Sequence, residues 1–220
     1  MGFFNPKRKN SLIQDKFQMT EPELPIIELV SYSPVIQKSE PLRLPGIGIK
    51  YLEKFIFSSE IESINIFCKG DNRNCSIDYS ILLLENNGKI GKYEDFIFYN
   101  QHSNSNRSVF LFGEYDIDEE WDNIFHINFS KMDKRIEEII LVCSIYEENK
   151  TFKNANLLEC KAEANGKTVF CCKVNYPEFF EDCNALILLS LKRSESSWLL
   201  SHYGTAFKGG LASILNSYTQ

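Results

Sequence analysis

The chain has 220 residues, of which 43% are hydrophobic and 25% are charged, so it can bury the core of one large domain. Its net charge of −6 at pH 7 argues against a nucleic-acid-binding protein that works by neutralising phosphates. No apolar run approaches the roughly 20 residues of a membrane-spanning helix, so we expect no such helix.

The seven cysteines indicate a reducing compartment. Their number is odd, and no pair has the Cys-x-x-Cys spacing of a zinc knuckle or a thioredoxin-like site. No run at the start of the sequence has the length and apolar character of a secretory signal peptide. We therefore predict a cytoplasmic protein with buried thiols.

Three regions follow one another along the chain. Residues 1–22 are polar and basic without a sustained period, which predicts a mobile N-terminal tail. Residues 23–47 are rich in proline and predict a lead-in that can form a hairpin at the edge of a sheet. Residues 48–216 have the pattern of a β-sandwich domain.

The domain consists of short apolar segments separated by turn signals. Asn87-Gly88 is a type I′ turn signal, Asn165-Gly166 predicts a second hairpin, and the polar residues 194–197 predict a third. The predicted strands are residues 51–57, 61–67, 77–84, 96–99, 109–112, 124–129, 139–146, 157–164, 168–174, 185–191 and 198–203.

Helical patterns are scarce. Residues 133–138 can form one helical turn, and residues 210–215 can form a short terminal helix. Many short strands about ten residues apart indicate a sandwich or a barrel. We predict an all-β fold, a sandwich of two antiparallel sheets with few short helices.

Four strings occur in a distinctive order. Residues 76–84 form an acidic strand that contains Asp78, and residues 95–100 read Asp-Phe-Ile-Phe-Tyr-Asn. Residues 113–120 form an acidic loop, and residues 127–131 read Ile-Asn-Phe-Ser-Lys. This order resembles the TerD family of tellurite-resistance and general-stress proteins, which carries Asp-Phe-Val-Phe-Tyr-Asn and Val-Asp-Leu-Ser-Lys.

The resemblance covers about residues 48–215. It also includes residues 142–147, Asn165-Gly166, Arg193, Trp198 and the closing Gly209-Gly210-Leu211. It implies a β-sandwich, a cytoplasmic location and calcium held between loops at one end. It further implies a role in stress or tellurite resistance whose biochemistry is not that of a known enzyme.

The acidic loop departs from the family pattern. It is shorter than the family's loop and lacks the inner glycines, and Ile117 and Trp121 lie in the acidic run instead. Large side chains restrict the tight turn by which a loop folds back on an ion, so we predict one weak calcium site at most. The alternative is a solvated acidic loop that leads into strand 124–129. The candidate ligands are Asp78, Asp95, Asn100, Glu114, Asp116, Asp118, Glu119 and Glu120.

Sequence motifs of catalysis are missing. The chain has no Gly-x-Ser-x-Gly elbow and no phosphate-binding glycine loop, so we do not expect an enzyme. The leading hypothesis is a non-enzymatic stress-response protein that binds a protein partner. One alternative is a calcium-assisted membrane-surface or adaptor module, helped by the basic residues 7–9. A third is a thiol-dependent reductase. The sequence predicts no oligomeric state.

Overall fold

The computed structural model describes residues 52–57, 61–70, 74–112, 121–155, 157–175, 182–195 and 197–219. These residues form eleven strands and one α-helix, with short 3-10 turns. The elements are β1 (Leu52–Phe57), β2 (Ser63–Gly70), β3 (Ile77–Glu85), β4 (Phe96–Ile97), β5 (Val109–Leu111), β6 (Asn123–Asn128), β7 (Ile136–Ile145), β8 (Leu157–Ala164), β9 (Lys167–Asn175), β10 (Ala185–Ser194), β11 (Ser197–Phe207) and α1 (Gly210–Thr219).

The strands form two antiparallel sheets. The first sheet has the order β1-β11-β10-β7-β3-β4, and the second has the order β5-β6-β2-β8-β9. Side chains alternate between the faces of a strand, so every second residue points into the space between the sheets. Ile64 and Ile66 of β2 and Ile81 and Leu83 of β3 belong to one core cluster. The predicted all-β sandwich is therefore confirmed.

Part of the outer face of the first sheet is also buried. Leu82 and Leu84 of β3 join a second apolar cluster that contains Ile214 of α1. Gly209 and Gly210 have φ angles of 97° and 66°, which favour glycine, and they turn the chain from β11 into α1. The predicted terminal helix is confirmed and extends beyond residue 215.

Two of the turn signals have different geometries. Asn165 and Gly166 both have positive φ angles, of 51° and 71°, as a two-residue type I′ turn requires. At Asn87-Gly88 only the glycine has a positive φ angle, and its N–H donates to the carbonyl of Glu85 at 2.9 Å. The type I′ prediction was wrong there, because a longer loop needs only one residue in the left-handed region.

The predicted helical turn at residues 133–138 was also wrong. The Asp133 carboxylate accepts a hydrogen bond from the Arg135 N–H at 3.0 Å and closes a tight turn. The chain then enters β7 at Ile136, whose side chain is fully buried in the core. Burial of this apolar side chain in the sheet outweighs a single helical turn.

Several predictions fall outside the described residues. They include the mobile tail at residues 1–22, the lead-in at residues 23–47 and the beginning of the domain at residue 48. Within the described part of the chain, no helix has the length and apolar character needed to cross a membrane.

Candidate metal site

One end of the sandwich carries two of the described candidate ligands, Asp78 and Asn100, and both flanks of the acidic loop. We call this end the loop end and define it by Gly70, Ile77, Asn123, Ile145 and Ala185. The register places Ile77 opposite Ile145, and Ala185 opposite the neighbouring Ser144. A Cβ at Gly70 would lie 2.6 Å from the side chain of Ile77, so the two sheets meet there.

Both flanks of the acidic loop are anchored at the loop end. The Phe112 N–H donates to the Ile124 carbonyl at 2.9 Å, and the Asp122 N–H donates to the Cys68 carbonyl at 2.9 Å. The Asp122 carboxylate accepts a hydrogen bond from the Gly70 N–H at 2.7 Å. The candidate ligands between these anchors, Glu114, Asp116, Asp118, Glu119 and Glu120, lie outside the described residues.

Asp78 lies at the loop end in a partly buried position. It is the second residue of β3 and stands opposite Ser144 of β7. Burial raises the pKa of its carboxyl, and the nearby carboxylate of Glu147 raises it further. A carboxylate that is poorly solvated and close to a second negative charge gains from a bound cation.

Glu147 is a neighbour that the sequence analysis did not single out. Its two carboxylate oxygens accept hydrogen bonds from the Ser76 N–H at 3.0 Å and 3.3 Å, and its pKa is lowered mainly for that reason. Lys150 Nζ lies 3.2 Å from the same carboxylate. Glu147 therefore stays ionised beside Asp78.

Asn100 is exposed in the turn that follows β4. Because β4 is antiparallel to β3, the chain runs toward the loop end as it approaches this residue. Phe98 and Gln101 pair across the turn, and a ring nitrogen of His102 bonds the Tyr99 carbonyl at 2.6 Å. Asn100 is thus held on the same end of the sandwich as Asp78.

Asp95 lies near the opposite end. It precedes Phe96, which pairs with Leu82, so it is about five residues along β3 from Asp78, or about 17 Å. Its carboxylate is fully buried and accepts hydrogen bonds from Arg135 at 2.6 Å and 2.7 Å and from the Lys92 N–H at 2.9 Å.

The structure therefore divides the candidate ligands. Asp78 and Asn100 lie toward the loop end, whereas Asp95 is engaged by an arginine elsewhere. In the sequence, the only sign of that partner is the charged run of residues 133–135 between two predicted strands. Among the described residues, no group of three or more histidine, cysteine, aspartate or glutamate side chains is positioned to hold a metal ion.

Comparison with known proteins identifies the family. The model of the TerD domain matches residues 53–218. The chain belongs to the TerD family. This result confirms the resemblance that the order of the sequence motifs indicated, and it assigns the chain to a family of tellurite-resistance and stress proteins.

Two curated relatives share the TerD match. General stress protein 16U of Bacillus subtilis (strain 168) is 30% identical over 150 residues, which cover 64% of this chain and 76% of that protein. Tellurium resistance protein TerD of Serratia marcescens is 26% identical over 156 residues, which cover 67% of this chain and 80% of that protein.

Two solved structures share the fold. A TerD homologue from Streptomyces coelicolor A3(2) superposes with a TM-score of 0.55 at 10% identity. A protein of unknown function superposes with a TM-score of 0.55 at 12% identity. Each match covers 70% of this chain and 95% of the other chain. At identities this low, the two structures support a shared fold and no conclusion about function.

Proposed function

We propose that this TerD protein is a non-enzymatic, cytoplasmic stress-response protein that binds a protein partner and holds one weak calcium ion at the loop end. One observation carries the calcium proposal. Asp78, Asn100 and both anchors of the acidic loop lie toward the same end of the sandwich, although they are distant in sequence. The five cysteines whose side chains the structure describes, Cys68, Cys75, Cys143, Cys160 and Cys183, are all buried, which supports a reducing compartment.

Calcium fits the chemistry of these residues. It takes roughly six to eight oxygen ligands from carboxylates, amides, carbonyls and water. Asp78 would supply a carboxylate and Asn100 an amide oxygen, and the acidic residues 114–120 and water would supply the rest. Asp95 is left out of the ligand set because Arg135 already engages both of its oxygens.

The partner surface that we propose is the exposed edge of the first sheet at β4. Tyr93 is 72% exposed and Tyr99 is 59% exposed, and both flank β4, a two-residue strand at the edge of the first sheet. Phe98 stacks on Phe96 at 4.4 Å and meets Tyr99 edge-on at 5.3 Å. We call Tyr93, Phe98 and Tyr99 the β4 edge. Exposed aromatic residues beside a sheet edge are typical of protein-binding surfaces.

The two parts of the proposal are physically linked. Tyr99 and Asn100 form one turn, so an ion held by Asn100 would restrict the motion of an aromatic residue of the β4 edge. A ligand that binds only the ordered state shifts the population toward that state. Calcium would therefore strengthen partner binding.

Isothermal titration tests the calcium site. We expect a saturable heat with calcium, and we expect Asp78→Asn to weaken binding by about tenfold or more, equivalent to about 1.4 kcal/mol. Asp182→Asn is the matched control, because Asp182 is an exposed carboxylate close to the same end. A flat titration of the unaltered protein would remove calcium from the proposal.

An affinity capture from stressed cells tests the partner surface. The bait is the full chain, with and without a chelator, beside the double variant Tyr93→Ala, Tyr99→Ala. Tyr146→Ala is the control, because Tyr146 is an exposed tyrosine away from β4. We expect a specific protein that the double variant loses and the control retains. Equal capture by all three baits would contradict the role of the β4 edge.

A further inference from the structure

A small polar cavity lies between three turns that are distant in sequence. Its volume is about 90 Å³, roughly the space that three water molecules occupy in the liquid. Lys92 and Glu94 line it from the turn before β4, residues 104–106 from the loop before β5, and Asp133 and Arg135 from the turn before β7. The cavity therefore exists only in the folded chain.

The cavity is separate from the loop end. Ile136, the first residue of β7, pairs with Glu85, the last residue of β3, whereas the loop end lies where β3 begins and β7 ends. The turn that carries Asp133 and Arg135 is thus at the opposite end of the sandwich from the proposed calcium site.

Hydrogen bonds hold the loop at residues 104–106 in place. The buried side chain of Asn104 accepts from the Val109 N–H at 3.0 Å and donates to the Ser108 hydroxyl at 2.8 Å. Asn106 donates to the Lys131 carbonyl at 2.8 Å, which connects this loop to the segment before β7. Walls that are already ordered reduce the entropy that a ligand must overcome when it binds.

Arg135 presents one unused donor to the cavity. A guanidinium has five N–H donors in a fixed planar arrangement. Both Nη atoms bond the carboxylate of Asp95, Nη1 also bonds Glu85, and Nε bonds Asp133 at 3.2 Å. The fifth N–H belongs to Nη2 and is without a partner among the described residues. In the planar group it is parallel to the Nε–H, so it lies on the side of Asp133, which lines the cavity.

The cavity carries two charges of each sign. Lys92 and Arg135 are positive, and Glu94 and Asp133 are negative. The hydrogen bond from the Arg135 N–H lowers the pKa of Asp133, and the nearby charge of Lys92 lowers it further, so Asp133 is ionised at neutral pH. Lys92 Nζ and Glu94 Oε1 are 3.9 Å apart, which is longer than a hydrogen bond. Both groups therefore have hydrogen-bonding capacity left for a ligand.

This balance of charge selects a ligand that carries both signs. A simple anion would be attracted by Lys92 and Arg135 but repelled by Glu94 and Asp133, and a simple cation would meet the reverse. A zwitterion places a carboxylate beside the positive groups and an ammonium beside the negative ones, so both of its ends gain charge-assisted hydrogen bonds. Free α-amino acids have this arrangement, and the volume of the cavity admits the smallest of them.

We propose that the cavity is a binding site for a small free α-amino acid such as glycine, alanine or serine. The ligand carboxylate accepts from the Lys92 ammonium and from the unused N–H of Arg135, and the ligand ammonium donates to Glu94. A ligand with so few atoms has little surface to bury, so we expect a dissociation constant of about 1 mM. The proposal is independent of calcium and of the partner surface.

A magnetic resonance titration of the full ¹⁵N-labelled chain tests the proposal. Glycine, alanine and serine are each added at pH 7 to about 20 mM, some twenty times the expected dissociation constant. We expect saturable shifts of the amide signals of residues 92–95, 104–106 and 133–135. Acetate and methylamine, which each carry one of the two charges, should bind at least about tenfold more weakly, because each leaves two like charges of the cavity without a counter-charge.

Variants at exposed positions sharpen the test. Lys92→Gln and Glu94→Gln should each weaken binding about tenfold, the effect of losing one charge-assisted hydrogen bond. Lys134→Gln is the matched control, because Lys134 is exposed in the turn between Asp133 and Arg135 but does not line the cavity. Far-ultraviolet spectra establish that each variant is folded. No saturable shift with any of the three amino acids, equal binding of acetate or methylamine, or unchanged affinity in both variants would overturn the proposal.

Discussion

Arg135 holds the fully buried carboxylate of Asp95 with both of its terminal nitrogens, at 2.6 Å and 2.7 Å. These hydrogen bonds raise the pKa of Arg135 above its ordinary value, and Arg135 also contacts Glu85 at 3.0 Å. The Arg135–Asp95 pair connects the start of β4 with the turn before β7. Asp95 opens the string at residues 95–100 that resembles the family pattern, so part of that string serves the fold.

Removing the charge of Asp95 should destabilise the protein. Asp95→Asn leaves Arg135 without its buried counter-charge, and we expect a loss of about 3 kcal/mol in the free energy of unfolding. Urea unfolding measures it. Glu94→Gln, in the same 3-10 turn but in a longer ion pair of 3.9 Å, should change stability by less than about 1 kcal/mol. Equal effects of both variants would contradict the role of the pair.

Asp78 should make stability depend on pH. Its pKa is raised in the folded state by burial and by Glu147. A raised carboxyl pKa means that the folded state binds the proton more tightly, so this contribution is present at low pH and is lost as pH rises through the folded pKa. Without calcium, we expect Asp78→Asn to be more stable than the unaltered protein at pH 7. The difference should disappear below about pH 4, near the unfolded pKa.

Added calcium should make the unaltered protein more stable than the Asp78→Asn variant. A ligand that binds only the folded state raises the melting temperature in proportion to the logarithm of its concentration over the dissociation constant. We expect added calcium to raise the melting temperature of the unaltered chain, a chelator to remove the increase, and Asp78→Asn to respond weakly. An identical response of both proteins would assign the effect to another site.

The contact between α1 and the first sheet should contribute strongly to stability. Ile214 is the fully buried residue of this helix and packs in the cluster with Leu82 and Ile140. Ile214→Ala should cost about 3 kcal/mol, because it removes buried methyl groups and leaves a cavity. Asn216→Ala, on the exposed side of the same helix, should cost little. Thermal unfolding followed by circular dichroism compares them.

The sequence alone determined the class of fold and the family. The strands could be predicted from local sequence patterns with a period of two. Successive side chains of a strand lie on opposite faces of its sheet, and one of these faces is the core. Turn chemistry is local as well, and Asn165-Gly166 formed the hairpin that its residue types predict. The ordered strings from residue 76 to residue 211 carried the family resemblance that the TerD match confirmed.

The tertiary structure decided everything that depends on the register between distant strands. Asp95 could not be assigned to Arg135, because these partners are separated by 40 residues of sequence. The conformation of the Asn87-Gly88 turn depended on the length of its loop. The strand that begins at Ile136 depended on burial in the core. Neither followed from local residue types. Local residue types fix which elements form, whereas packing between elements fixes which side chains meet.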